Sequence, residues 1–363
     1  MKTALKPLEI RDAKLSIPII QGGMGVAVST DALASAVSRE GGLGVIASVG
    51  LGEGIGEPDA VSSYVESNKR ALRKLIERAR QATTEPLGVN VMMALTDWQD
   101  LASTASEEGI DFLIVSAGLP LHLPEYVDRE RTKLIPKISS SRAAGLICKK
   151  WSRTYGIVPD ALIVEGPRSG GHQAFSREQL GNIDDFSLEK TIPTVKEIVG
   201  PFEERHGESI PIIAAGGIYD GRDIAGMINL GADGVLMGSR FVCTEECDVA
   251  DGFKEAYINA KEEDIGLIMS PLGMLARVVK NDFYRRIVRD GGRMPFRCMY
   301  RCLAPCDPGK SHFCIADALV AARRGIMEDS LILCSTTTPR IDRILPVRKL
   351  LHDLIDDTRR HLR

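Results

Sequence analysis

Eight short apolar or β-branched runs alternate with longer amphipathic segments between Ser16 and about Arg240, and this alternation constrains the fold more than any other feature of the chain. The runs are Ile17–Ile20, Leu43–Ala47, Leu87–Val91, Phe112–Ser116, Leu134–Ile138, Ala161–Glu165, Pro211–Ala214 and Gly234–Met237. Between them, Asp59–Thr83, Thr96–Glu108, Ser140–Tyr155 and Phe186–His206 space Leu, Ile, Val and Ala as helices with one buried face do. Eight strand–helix units suit a closed barrel better than an open doubly wound sheet. The open sheet would carry Gly-x-Gly-x-x-Gly in its first unit, where this chain has Gln21-Gly22-Gly23-Met24-Gly25. The predicted fold is therefore α/β, a (β/α)8 TIM barrel over residues 1–245.

Residues 246–363 depart from the pattern and are predicted to form a helical, cysteine-rich extension packed on the barrel. Phe253–Glu263 reads as a helix, Ser270–Asp290 as a less regular one, and 291–309 as a loop rich in Gly, Pro and Cys. Ile315–Arg324 and Val347–Arg363 close the chain as helices. The last gathers Leu350, Leu351, Leu354 and Ile355 on one face, which suits docking on the barrel wall better than on a membrane.

The 363 residues are 44% hydrophobic and 26% charged, enough for a large core and against disorder. With 46 basic and 49 acidic side chains the net charge is −3, so neither nucleic acid nor an anionic membrane is expected as a partner. Met1–Asp12 is too interrupted by charge for a signal peptide, and no apolar run reaches the roughly 20 residues of a membrane span. A cytoplasmic enzyme with a small-molecule substrate is the expectation, and a homo-oligomer is left open.

Two glycine-rich strand ends carry the first chemical signal. The seventh run leads into Ala214-Ala215-Gly216-Gly217-Ile218 and the eighth into Met237-Gly238-Ser239-Arg240. Barrels bind phosphate at these two loops, where a backbone without Cβ atoms approaches the anion and Ser239 and Arg240 add hydrogen bonds and charge. Gly22-Gly23-Met24 after the first strand offers flat backbone to a ring system, and Asn90 after the third offers a donor and an acceptor. Those features favour a flavin mononucleotide, FMN, over a phosphorylated substrate. The sixth strand runs into Glu165-Gly166-Pro167-Arg168-Ser169-Gly170-Gly171-His172. A histidine at the barrel mouth can move a proton near neutrality, and Glu165 is either a loop anchor or an ordinary polar strand end.

Cys298, Cys302, Cys306 and Cys314 crowd into 17 residues with spacings of three, three and seven, unlike the paired knuckles of common zinc sites. Three readings stay open: an iron–sulfur centre such as a 4Fe-4S cluster, a zinc ion, or unliganded thiols.

Pro18 through Met24, Gly88-Val89-Asn90, Glu165 through His172, Ala214 through Ile218, and Met237 through Phe241 together resemble the nitronate monooxygenase (2-nitropropane dioxygenase-like) flavoproteins and the related FMN-dependent enoyl-acyl-carrier-protein reductases. The resemblance implies that Gly22, Gly23, Met24 and Asn90 contact the flavin, with Lys137 reaching it from the fifth strand. It also implies that Gly170, Gly171, Gly216, Gly217, Gly238 and Ser239 enclose the cofactor's chain and phosphate, flanked by Glu165, Ala215 and Met237, and that His172 is catalytic. Two activities follow from it: oxidation of alkyl nitronates with O2 to a carbonyl compound and nitrite, or NAD(P)H-dependent reduction of an enoyl thioester. A non-catalytic flavin-binding subunit of a larger complex is the reading from a different class.

Overall fold

The computed structural model describes residues 5–55, 63–289 and 292–362. Its centre is a sheet of eight parallel strands: β1 (Ile19–Gln21), β2 (Gly44–Ala47), β3 (Leu87–Met92), β4 (Phe112–Ser116), β5 (Lys133–Ile138), β6 (Leu162–Glu165), β7 (Ile212–Ala215) and β8 (Gly234–Met237). Sequence neighbours pair throughout, and β8 pairs with β1. Hydrogen bonds from Gln21 N–H to Leu43 O (2.9 Å) and from Leu43 N–H to Ile19 O (3.0 Å) bring β1 against the start of β2 and close the barrel. All eight sequence-predicted strands are present, with ends shifted by at most two residues.

The barrel interior is packed. Alternate residues of the strands point inward, and Ile20, Val45, Phe112, Ile114, Ile135, Ile163, Ile213 and Leu236 fill the centre. An N-terminal hairpin absent from the sequence reading, Leu8–Ile10 paired with Ala13–Leu15, plugs one end with Leu8, Ile10 and Leu15. With that end stoppered, ligands reach the barrel from the opposite end, where the strands' C-termini lie.

The helical ring consists of α1 (Asp31–Arg39), α2 (Tyr64–Ala82), α3 (Trp98–Glu107), α4 (Ser141–Tyr155), α5 (Leu188–His206) and α6 (Gly221–Asn229). The start expected for α2, residues 59–62, lies outside the described residues. Between β4 and β5 only a short turn, Leu123–Glu125, stands where a helix would be. After β8 come α7 (Asp251–Ile258), a hairpin of β9 (Ile265–Met269) and β10 (Leu275–Val279), then α8 (Asp282–Arg289), α9 (Ile315–Arg324) and α10 (Val347–His361). The C-terminal helix α10 packs on both α6 and α1, and so takes the eighth place in the ring. Leu350, Leu351, Leu354 and Ile355 are its buried face, as their spacing requires.

The expected helix over Ser270–Asp290 is corrected: Leu275–Val279 is a strand, and only Asp282–Arg289 is helical. The turn at Pro271-Leu272-Gly273 brings the segment back on β9, and the β-branched pair Val278-Val279 suits the pleat. Among the described residues no helix is long and apolar enough to cross a membrane.

Candidate active site

The C-terminal ends of the barrel strands and the extension enclose a cavity of about 620 Å³. That lies within the range of small-molecule and cofactor sites. Gly22, Gly23, Met24, Asn90, Lys137, Glu165, Gly170, Gly171, His172, Ala215, Gly216, Gly217, Met237, Gly238 and Ser239, all expected from the sequence as site residues, meet on its wall. They are brought together from six strand ends and one long loop.

At one end the loops after β7 and β8 form a polar cradle. Gly216 and Gly217 have φ of 99° and 83°, a region that side chains with a Cβ avoid. A Cβ on Gly216 would lie 2.9 Å from Gly166 O, and one on Gly217 would lie 2.9 Å from Arg168 Cβ. Arg240 stacks its guanidinium over the Tyr219 ring, 4.7 Å from the centroid, and its buried Nε has no hydrogen-bond partner among the described residues. Burying an N–H without an acceptor costs about 1–3 kcal/mol. The cradle's Cβ-free backbone, with Ser239 beside it on the wall, leaves room for a phosphate group. The extension adds two hydroxyls that no local motif announces, Ser335 and Thr337, 2.9 Å apart and both on the cavity wall. Their segment is tied to the loop after β6 by Gly171 N–H to Cys334 O (3.3 Å).

Beside the cradle, Gly22 N–H bonds to Met237 O (2.9 Å) and locks the loop after β1 to the end of β8. Gly23 faces Asn90 so closely that a Cβ would come within 2.4 Å of the asparagine Cβ. Asn90 donates from Nδ2 to Ser116 Oγ (3.3 Å), which orients the amide. Lys137 Nζ and Glu165 Oε1 form an ion pair at 2.9 Å, so Glu165 anchors a cation on the cavity wall.

His172 sits in a two-residue strand, Gly171–His172, that pairs antiparallel with β10. Its Nε2 is 2.8 Å from Ser270 Oγ, and Ser270 is 3% exposed. The same Oγ accepts Leu272 N–H at 3.0 Å. Arg277, on β10, donates to Ser169 O and to Pro167 O (2.9 Å), pinning the loop that delivers the histidine. Burial pushes the imidazole from 6.5 down to about 4, because the charged ring loses its water. The unfolded chain therefore takes up a proton between those two values that the folded chain refuses. Stability is full above about 6.5 and falls as pH drops through the window. Thermal melts of wild type and His172→Asn over that window are expected to show a steeper acid loss in the wild type; parallel slopes would contradict it.

The metal expectation on Cys298, Cys302, Cys306 and Cys314 is corrected. All four are free thiols, and among the described residues no three His, Cys, Asp or Glu side chains converge to hold a metal ion. Cys302 lines the cavity, the Cys306 thiol lies 3.4 Å from Ser311 Oγ, and Cys314 stands at the start of α9. The other three thiols lie near enough to Cys302 to add to the rise in its pKa, without forming a group that could hold a metal ion among the described residues. Burial holds the Cys302 thiol up at about 12 and Cys314 at about 11, as neutral groups.

The model of the family described as "Nitronate monooxygenase" matches residues 6–357. A probable nitronate monooxygenase of Staphylococcus aureus (strain Newman) is 29% identical over 316 residues, covering 77% of this chain and 80% of that protein. A (3aS,4S,5R,7aS)-5-hydroxy-7a-methyl-1-oxo-octahydro-1H-indene-4-carboxyl-CoA dehydrogenase of Mycobacterium tuberculosis is 28% identical, covering 74% of this chain and 65% of that one. Among solved structures, FabK from Thermotoga maritima superimposes with a TM-score of 0.72 at 30% identity, over 95% of this chain and 93% of its own. The nitroalkane oxidase from Streptomyces ansochromogenes has the same TM-score at 22% identity, over 95% and 96%, and shares the fold.

Proposed function

The chain belongs to the nitronate monooxygenase family, and from that premise we propose that this oxidoreductase uses FMN to oxidise alkyl nitronates to a carbonyl compound and nitrite with O2. The observation that carries the reading is one cavity holding both a glycine-lined cradle fit for a phosphate and a half-buried, neutral histidine. FMN, when bound, supplies the electron acceptor and the reaction with O2.

The chain's own residues do the holding and the proton work. Gly216, Gly217, Gly238, Ser239 and Arg240, with Ser335 and Thr337, would hold the phosphate. Gly22, Gly23, Met24 and Asn90 would support the ring, and Lys137, oriented by Glu165, would place a positive charge at its edge. Ser270 Oγ already accepts from Leu272 N–H, and His172 Nε2 is the acceptor its own buried hydroxyl proton can reach. The neutral ring then carries its hydrogen on Nδ1. In that tautomer His172 donates a hydrogen bond to an anionic substrate, which suits a nitronate rather than a neutral nitroalkane that would need a base.

The apolar part of the cavity wall supports a second reading, NAD(P)H-dependent reduction of an enoyl thioester, in which His172 would help bring a solvent proton to Cα. Anaerobic mixing of the flavoprotein with ethyl nitronate, NADH or NADPH separates the two. Bleaching of the flavin by the nitronate is the expected result. Rapid bleaching by a pyridine nucleotide, with none by the nitronate, would overturn the first reading in favour of the second.

A further inference from the structure

A second hollow, of about 380 Å³, lies between the β9–β10 hairpin, α8 and the short helix Arg177–Gly181. It shares no lining residue with the main cavity. Phe175 and Phe186, on the main cavity's wall, pack with Leu180, Leu267 and Leu275, and of these Leu180 and Leu267 line the second hollow. This apolar layer separates the two spaces.

Three cations line the second hollow, and no carboxylate does: Arg177 on the short helix, Arg277 on β10 and Lys280 just after it. Among the described residues none of the three has an ion-pair partner. Arg277 is 4% exposed, and its terminal nitrogens donate to the carbonyls of Ser169 and Pro167, which carry no net charge. Burial lowers its pKa, because the guanidinium has lost its water. A buried charge without a counter-charge is costly, and an anion against this wall offsets that cost. The acidic stretch Glu262–Asp264 meets Lys280 through its backbone. Lys280 Nζ donates to Glu263 O (2.8 Å) and Lys280 N–H to Asp264 O (2.7 Å), while the Asp264 carboxylate accepts Lys261 N–H (3.0 Å). Gly266 lets the lysine stem and the Tyr284 ring lie against β9: a Cβ there would come within 2.9 Å of Lys280 Cε and 3.1 Å of Tyr284 Cζ. The hollow thus joins fixed positive charge to an aromatic ring and two leucines.

We infer that the second hollow binds a phosphate ester of a small organic body, with Arg177, Arg277 and Lys280 around the phosphate and Tyr284, Leu180 and Leu267 beside the body. A phosphate ester carries about two negative charges at neutral pH, which three cations match better than they match a single carboxylate. The site uses none of the cradle's residues and is independent of the FMN reading. Arg277 also pins the loop that delivers His172, so the ligand lies one side chain away from that loop.

The test is calorimetric titration of the FMN-saturated protein with phenyl phosphate, inorganic phosphate and phenol, FMN being present to fill the cradle after β7 and β8. One phenyl phosphate per chain is expected, with Kd at least about tenfold below that of either fragment. Arg177→Ala, at an exposed residue, and Lys280→Gln should each raise that Kd about tenfold or more while flavin content stays unchanged. Equal Kd for phenyl phosphate and phenol would overturn the inference, as would a Kd that neither substitution moves. Equal Kd for phenyl phosphate and inorganic phosphate would overturn the ester and give the hollow to the free anion. Protein that takes up no FMN removes the flavin reading alone, since loss of affinity in the two variants still locates phenyl phosphate in the second hollow.

Discussion

His172→Ala is expected to lower kcat for a nitronate by about 10–150-fold, the worth of one hydrogen bond to a charged group, while the protein keeps its FMN. The phosphate cradle lies on the loops after β7 and β8, whereas the histidine hangs from a strand paired with β10, so removing the ring leaves the cradle's glycines and Arg240 in place. Ser270→Ala is the companion change. It removes the hydroxyl 2.8 Å from Nε2 and frees the ring to exchange tautomers. One net hydrogen bond is worth about 1 kcal/mol, so kcat should fall roughly five- to tenfold with KM little changed. Steady-state kinetics with flavin content measured in parallel check both. Full turnover in His172→Ala would remove the histidine from the mechanism.

Gly216→Asp should abolish FMN binding at micromolar concentrations. The backbone at φ 99° disfavours any Cβ, at about 1–2 kcal/mol, and that atom would press on Gly166 O and Ser169 N at 2.9 and 3.1 Å. The carboxylate would also stand in a cradle built for an anion, where repulsion near the surface of a protein amounts to about 4 kcal/mol at 4 Å. Even half of the sum weakens binding by about 100-fold. Gly216→Ala carries the strain without the charge and should lose distinctly less. Fluorescence titration of the apoproteins with FMN compares the three, and equal affinities for wild type and the Asp variant would contradict the placement of the phosphate.

The barrel was legible because each of its strands is a compact apolar or β-branched run, and such runs are buried on both faces in a parallel barrel. The Leu8–Ile10 and Ala13–Leu15 hairpin escaped notice because three-residue strands leave no periodicity to detect. The β10 strand was hidden for another reason: it lies directly before the amphipathic α8, and the two blur into one helical stretch. The same limit applies at the cavity. Residues next to glycine-rich strand ends could be named from local motifs, and they do meet. Ser270, Ser335 and Thr337 come from 98 or more residues beyond His172, with no motif around them, and only the folded extension brings Ser270 to the histidine and the other two to the wall. The cysteines mark the opposite case, a strong local pattern whose thiols lie near one another without forming a group that could hold a metal ion among the described residues.

The eighth place in the helical ring belongs to the same class of surprise. The apolar face of α10 was plain in the sequence, but that it would take the ring place between α6 and α1 depends on the whole length of chain between β8 and α10. The extension therefore contributes to the barrel's outer layer as well as to the cavity's walls.

A phosphate held by Gly216, Gly217, Gly238, Ser239 and Arg240 is the interaction on which the FMN reading depends. Reconstitution of the apoprotein with FMN and, separately, with riboflavin tests it most directly, because the two ligands differ only in that group. FMN is expected to saturate one site per chain, and riboflavin to bind at least about 100-fold more weakly, since it leaves the cradle's donors without an anion. Equal affinity for the two would contradict the assignment.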